Sequence, residues 1–194
     1  MDEFDLGINW EYLRRVTLNQ GYTLNTYINS MADQLHPNVL KTTLLNLGYE
    51  AFYNGTRTIR EMRKIHNCNI PWIILMDPTS ACNLHCTGCW AAEYGHKLNL
   101  SYEKLSDIIS QGKELGTYFY MFTGGEPLVR KKDILRLAEE HHDCEFHCFT
   151  NGTLIDEEFC EAVQKLGNIS FSLSLSLINI SEPTRLLSIS YAVF

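Results

Sequence analysis

Apolar positions change their period part-way along the chain. Up to about residue 70 they recur at helical spacing. His36-Pro37 places a proline where a helix begins, and Val39, Leu40, Leu44, Leu45 and Leu47 follow, which predicts a helix closed at Gly48. A further helix is predicted over Thr58 to His66. The apolar side chains of this segment read as packing surface rather than as a partner's docking face, and the segment carries no legible chemistry.

From Pro71 the pattern becomes strand and helix in alternation. Trp72 to Met76 is a continuous apolar run of strand length, bounded by Asp77-Pro78. Tyr118 to Phe122, Glu145 to Thr150 and Ile169 to Leu175 read as three further strands. Helices are predicted between them. Ser101 to Leu115 carries Leu105, Ile108, Ile109 and Leu115 on one face, and Lys131 to His141 turns Ile134, Leu135, Leu137 and Ala138 inward. A third helix, capped by Asp156, carries Phe159, Val163 and Leu166. Such alternation predicts an α/β fold of right-handed βαβ units on a parallel sheet. Ligands of such sheets bind beyond the carboxyl ends of the strands, and every unusual motif of the chain falls there.

Composition narrows the possibilities. The formal charge is −7 over 194 residues, which argues against a nucleic-acid binder working through a basic patch. No run is apolar and long enough for a membrane span, and the first residues are acidic, so a cytoplasmic address is expected. Seven cysteines, an odd number, do not suggest a disulfide framework.

Three of those cysteines crowd into one loop, Cys82-Asn83-Leu84-His85-Cys86-Thr87-Gly88-Cys89-Trp90. Thiolates at short spacing suit an iron–sulfur cluster held by a single loop. The competing reading is structural zinc completed by His85, His96 or Cys68, and a third is three unligated cysteines. A second motif, Thr123-Gly124-Gly125-Glu126-Pro127, follows the second predicted strand. On its own it reads as a strand-to-helix turn with Pro127 opening the next helix, its glycines allowing close backbone approach to a ligand.

Together, over residues 71 to about 175, these motifs resemble the radical S-adenosylmethionine (radical SAM) enzymes. The family carries Cys-x3-Cys-x2-Cys after its first strand and a Gly-Gly-Glu-Pro type motif after its second. The resemblance implies a partial parallel (β/α) barrel, with about four strands present, preceded by an α-helical N-terminal segment. It implies that Cys82, Cys86 and Cys89 ligate a [4Fe–4S] cluster whose open iron is chelated by SAM, and that Gly124, Gly125, Glu126 and Pro127 hold the methionine end of SAM. Asn151, in Thr150-Asn151-Gly152, corresponds to a third-strand motif near SAM, though Asn-Gly is also a common turn. Ser172 and Ser174 match positions that contact ribose, and are also what strand alternation against Phe171, Leu173 and Leu175 produces. The family's aromatic residue before the third cysteine is replaced by Gly88, so adenine is contacted either differently or by Trp90. His85 and His96 are candidate substrate acids or bases. The implied activity is reductive cleavage of SAM to a 5′-deoxyadenosyl radical that abstracts hydrogen from a substrate, with a low-potential electron donor. The substrate is not legible; peptides are common among relatives with cysteine-rich extensions.

The organisation read from the sequence is a helical segment over 1–70, the radical SAM core over 71–175 and a divergent tail over 176–194. In the tail, Leu187, Ile189, Tyr191 and Val193 alternate with polar or small residues and could form a closing strand. The alternative, preferred because a sheet ending at its fourth strand leaves an apolar edge, is a frameshift or premature stop that removed the later strands and any cysteine-rich extension. On that view the alternatives to an enzyme are a non-catalytic iron–sulfur remnant or electron carrier, and a zinc-stabilised binding module.

Overall fold

A computed structural model of the chain describes residues 10–19, 21–86, 89, 91, 95 and 97–174. Gly88, Trp90, His96, Leu175 and the tail over 176–194 lie outside the described residues.

Four strands, β1 (Ile73–Met76), β2 (Phe119–Phe122), β3 (Glu145–Thr150) and β4 (Ile169–Leu173), form one sheet in the order β1-β2-β3-β4. Every neighbouring pair is parallel, with Met76 beside Phe122, Phe122 beside Cys148 and Cys148 beside Phe171. Each crossover carries a helix: α5 (Tyr102–Glu114), α6 (Lys131–Glu140) and α7 (Glu157–Leu166). This is the partial α/β barrel the sequence implied. The predicted cap Asp156 is present, accepting from the Phe159 N–H at 2.9 Å, and Ser101, read as the first helical residue, is itself the cap, accepting from the Lys104 N–H at 3.2 Å.

One face of the sheet packs against those helices. Met76, Tyr120, Phe122, Phe146, Cys148 and Ile169 meet Leu105, Ile109, Ile134, Leu137, Ala138 and Phe159 in a single apolar core. Because side chains alternate along a strand, Leu75, Met121, His147, Phe149, Ser170 and Ser172 occupy the opposite face, the inside of the barrel.

The first two strands start one residue later than predicted. Trp72 does not join the ladder: its indole N–H donates to the Ala51 carbonyl at 3.1 Å and its ring meets Phe52 and Phe119. Tyr118 contributes its carbonyl to the Glu145 N–H at 2.9 Å.

The N-terminal half holds α1 (Trp10–Leu18), α2 (Thr23–Gln34), α3 (Pro37–Thr43), a π-helical segment (Leu44–Gly55) and α4 (Thr56–His66). The expected stop at Gly48 does not occur; the helix runs on through the π-helical segment and ends at Asn67 in the left-handed conformation. The wider winding turns Asn46, Ala51 and Gly55 inward. Asn46 then donates to the carbonyls of His142 and Cys144, at 2.8 and 2.9 Å, at the foot of β3. Asn38 caps the carbonyls of Gln164 and Lys165 in the last turn of α7, at 2.9 and 2.8 Å. The helices therefore close the amino-terminal end of the sheet and leave the carboxyl end to the motifs. The expectation of buried packing fails for Leu44, Leu45, Tyr49, Phe52 and Tyr53, which are 46% to 63% exposed.

Candidate functional site

β1 ends at Met76, and the chain passes through Asp77 to Ala81 into the cysteine loop. Cys82, Cys86 and Cys89 are half-buried and in no disulfide among the described residues. The Leu84 N–H points at Cys82 Sγ at 3.4 Å, and the Cys89 N–H donates to the Cys86 carbonyl at 3.2 Å. Burial holds the Cys82 thiol above its ordinary range; the Leu84 N–H opposes this, while Glu126, Cys86 and Cys89 add to it. Three thiolates beside a carboxylate favour a cationic guest, and a set of thiolates alone is soft-metal chemistry. Among the described residues no three His, Cys, Asp or Glu side chains gather about one point as ligands of a single metal ion. His85 is exposed on the same loop and Cys68 is exposed after α4.

The turn after β2 packs directly on the segment leading into that loop. Thr123 N–H donates to Met76 O at 3.0 Å, Gly125 N–H to Thr79 O at 3.0 Å, and Glu126 N–H to Ala81 O at 2.8 Å. Gly124 has φ +105°, and a Cβ there would stand 2.6 Å from Thr79 O; at Gly125 it would stand 2.2 Å from Ala81 O. The absence of side chains at Gly124 and Gly125 is thus taken up by the backbone entering the cysteine loop, a reason that the sequence did not disclose.

Glu126 is 1% exposed. Its carboxylate accepts from Thr150 Oγ1 at 2.6 Å, the Asn151 N–H at 2.7 Å and the Leu128 N–H at 3.0 Å. Pro127 is buried and opens a short 3-10 turn (Pro127–Arg130). Arg130, held by Asp133 at 2.5 Å, donates to the carbonyls of Pro78 and Leu100 at 3.1 and 2.7 Å. The motif after β2 therefore braces the exits of both β1 and β3.

Asn151 completes the connection. Its Nδ2 donates to Asn83 Oδ1 at 2.9 Å, and Asn83 Nδ2 donates to Thr153 Oγ1 at 2.7 Å. Asn83 lies between the first two cysteines, so the third loop is bonded to the cysteine loop itself. Ser174, exposed at the same rim, donates its N–H to Thr150 O at 2.9 Å. Trp90 lies outside the described residues. A cavity of about 670 Å³ opens beside the free edge of β1, against Met76, Asp77, Ser80, Leu100, Gly124 and Gly125. It touches the glycine turn but none of the three thiols. Burial raises the Asp77 carboxyl above its ordinary range.

A polar row on the inner face was missed by sequence reasoning. His147 Nδ1 lies 2.9 Å from Ser170 Oγ and Nε2 lies 2.8 Å from Ser172 Oγ. Glu145, one rung below, is 1% exposed, and neither carboxylate oxygen has a hydrogen-bond partner among the described residues. Burial pushes its carboxyl up to about 8, tempered by the nearby hydroxyls of Thr43 and Ser170. The available signal was the alternation of Glu145 and His147 with Phe146 and Cys148, a polar stripe on a strand otherwise buried.

Residues 76–180, more than half of the chain, match the family model described as Radical SAM superfamily. The chain belongs to the radical SAM superfamily. Among curated proteins, this radical SAM chain is 38% identical over 96 residues to an uncharacterized protein of Archaeoglobus fulgidus, covering 47% of the chain and 23% of that protein. It is 32% identical over 108 residues to a GTP 3′,8-cyclase of Alkaliphilus oremlandii, covering 52% of the chain and 33% of that enzyme. The match thus spans about a quarter to a third of the length of these curated relatives, 23% and 33%. Among solved structures, Streptococcus suis SuiB bound to S-adenosylmethionine superposes with a TM-score of 0.54 at 24% identity, over 88% of this chain and 43% of SuiB. That likeness concerns the fold.

Proposed function

We propose that Cys82, Cys86 and Cys89 ligate a [4Fe–4S] cluster and that SAM lies across the carboxyl ends of β1 to β4. The reading is carried by one observation: the cysteine loop is hydrogen-bonded to the motif loops after both β2 and β3, through Ala81 to Glu126 and Asn83 to Asn151. The donor chemistry fits, with three cysteines on one loop and an N–H already aimed at Cys82 Sγ. Gly124, Gly125, Glu126 and Pro127 form the wall for the methionine end of SAM. Glu126 does so by fixing the loops, its carboxylate being used on Thr150, Asn151 and Leu128. Asn151 and Ser174 complete the SAM-facing rim, and Trp90, outside the described residues, is the proposed adenine contact. When bound and reduced, the cluster supplies one electron to the sulfonium of SAM, giving methionine and a 5′-deoxyadenosyl radical for hydrogen abstraction.

The unit that does this spans 71–175, with the helices of 1–70 closing the opposite end of the sheet. The electron comes from a low-potential donor. A peptide is the substrate class proposed, supported by the structural likeness to SuiB, which has been seen with its precursor peptide. No helix among the described residues is long and apolar enough to cross a membrane, and the proposed location is the cytoplasm.

The test is anaerobic. The chain is reconstituted with iron and sulfide, reduced and given SAM, and 5′-deoxyadenosine is assayed. Its appearance, and its loss in Cys86→Ala, is the expected result. Zinc in place of iron and sulfide, or a cluster that leaves SAM intact, overturns the proposal for this chain.

A further inference from the structure

Among the described residues β1 has a strand neighbour on one side only, and the ladder fixes what faces the other side. The Thr123 N–H donates to Met76 O, so the amide groups of Met76 turn toward β2. Alternation along a parallel strand sends those of Ile74 the same way and those of Ile73 and Leu75 outward. The next stretch of this outer edge is already paired. Ser80 N–H donates to Leu98 O at 2.8 Å and Leu100 N–H to Pro78 O at 3.1 Å, an extended segment laid antiparallel along Pro78 to Ser80. Below it, among the described residues, the edge of Ile73–Met76 is open. Apart from its shortness it carries none of the usual guards of an edge: no charge, no proline and no bulge. The cavity of about 670 Å³ lies along this edge, lined by Ile74, Leu100 and Ile108 from the helix side and by the exposed Leu75 from the barrel side. Asp77 is the one charged side chain among its described lining residues.

We infer that the open edge of β1 seats an extended segment of a peptide substrate, which joins the sheet as a strand beside Leu75 and sets a basic side chain against Asp77. The inference rests on the peptide reading proposed above and names how that peptide is held. Unpaired backbone groups in a row recognise another backbone, which selects an extended polypeptide over a compact small molecule. Apolar walls on both sides of the strand select apolar side chains on the segment. A carboxylate with no Lys or Arg among the described lining residues selects a cation at that end. Gly124 and Gly125 line the same cavity, so a segment held there lies next to the wall proposed for SAM, which makes the occupant a substrate rather than a permanent partner.

The experiment uses the full chain without its cluster and the synthetic probe acetyl-Lys-Val-Thr-Val-Thr-Lys-amide, whose two lysines let either strand direction reach Asp77. Amide hydrogen exchange is followed residue by residue in the ¹⁵N-labelled chain, and affinity by the fluorescence anisotropy of labelled probe. In the dilute chain alone, the Leu75 N–H is expected to exchange fast and those of Ile74 and Met76 slowly. Millimolar probe is expected to slow Leu75 several-fold. Leu75→Pro removes an N–H that β2 does not use, and is expected to abolish binding. The probe N-methylated at every residue between its lysines is expected not to bind, a control that leaves the protein untouched. Asp77→Asn is expected to weaken the probe by about two- to fivefold and to leave unchanged a probe with glutamine for both lysines. Leu75 protected in the dilute chain alone means that the chain itself covers the edge, and overturns the inference. Protection that appears only as the chain is concentrated, together with a dimer in sedimentation, assigns the edge to a second copy and also overturns it. So does no protection by the probe, a methylated probe that binds equally well, or an affinity indifferent to Asp77→Asn. Because no cluster is present, these readouts do not depend on SAM cleavage; a chain that forms 5′-deoxyadenosine but shows no protection at Leu75 fails this inference alone.

Discussion

The carboxylate of Glu126 receives the backbone N–H of Asn151 at 2.7 Å, so the motif after the second strand grips the loop after the third. All three groups around that carboxylate are donors: Thr150 Oγ1, Asn151 N–H and Leu128 N–H. In Glu126→Gln an amide NH2 must face at least one of them. The variant is expected to lose about 1–3 kcal/mol in urea unfolding of the cluster-free chain, the usual cost of a buried donor left without its acceptor. It is also expected to retain less iron and sulfide after reconstitution. Unchanged stability would show that the carboxylate is not the brace described.

Gly125 and Gly48 make a matched pair. A Cβ at Gly125 would meet Ala81 O at 2.2 Å, backbone that cannot swing aside, whereas one at Gly48 meets nothing within 4 Å. Gly125→Ala is expected to displace the entry to the cysteine loop and to abolish cluster assembly. Gly48→Ala is expected to stabilise the helix by about 0.5–1 kcal/mol, raising the urea midpoint and leaving iron content alone. A Gly125→Ala chain that still takes up a full complement of iron and sulfide contradicts the packing argument.

Asn83 joins the cysteine loop to Asn151, and its side chain is exposed, so its effect falls on local order more than on global stability. A double-mutant cycle of Asn83→Ala and Asn151→Ala is expected to give a coupling of about 0.5–1.5 kcal/mol. The reduced cluster of Asn83→Ala is expected to show a broadened electron paramagnetic resonance signal. Additive losses and an unaltered spectrum would remove Asn83 from the site.

Glu145 gives the chain a pH-dependent stability. Its carboxyl titrates near 8 in the folded chain against an ordinary 4.5, because burial disfavours the charge. Between those values the folded state keeps a proton that the unfolded state has released, so stability falls as pH rises through the window and levels off beyond it. The loss is on the order of 5 kcal/mol across the window, at about 1.4 kcal/mol per unit. Glu145→Gln is expected to remove most of that slope. Urea midpoints of the cluster-free chain at pH 5 and pH 8 check it, and equal slopes in both chains would refute it.

The sheet was legible because its strands are buried on the helix side, because a helix of clear apolar periodicity follows each of the first three, and because Asp156 marks the start of the last of those helices. The cysteine loop and the glycine turn were legible because their residues are adjacent in sequence. What joins them was not. The grip of Glu126 on Asn151 spans a whole crossover, and the stacking of Ser172, His147 and Ser170 depends on a strand register that no single segment specifies. Gly48 misled for a related reason: helix termination was read locally, while the contacts of Asn46, Ala51 and Trp72 carry the helix past it. The exposed Leu44, Leu45 and Tyr49 show the same limit, since periodicity gives a helix its apolar face but not the neighbour that covers it.

Asn38 caps carbonyls that lie 126 and 127 residues further along the chain. A ribosome makes the helical segment first, and the turn of α7 that receives Asn38 leaves the exit tunnel only after three strands and three helices have been synthesised. Asn46 can meet the foot of β3 once residues 142–144 have emerged, but Asn38 has no carbonyls to cap until α7 follows. Vectorial synthesis therefore makes the capping of α7 a late contact of a helical segment that was synthesised well before it.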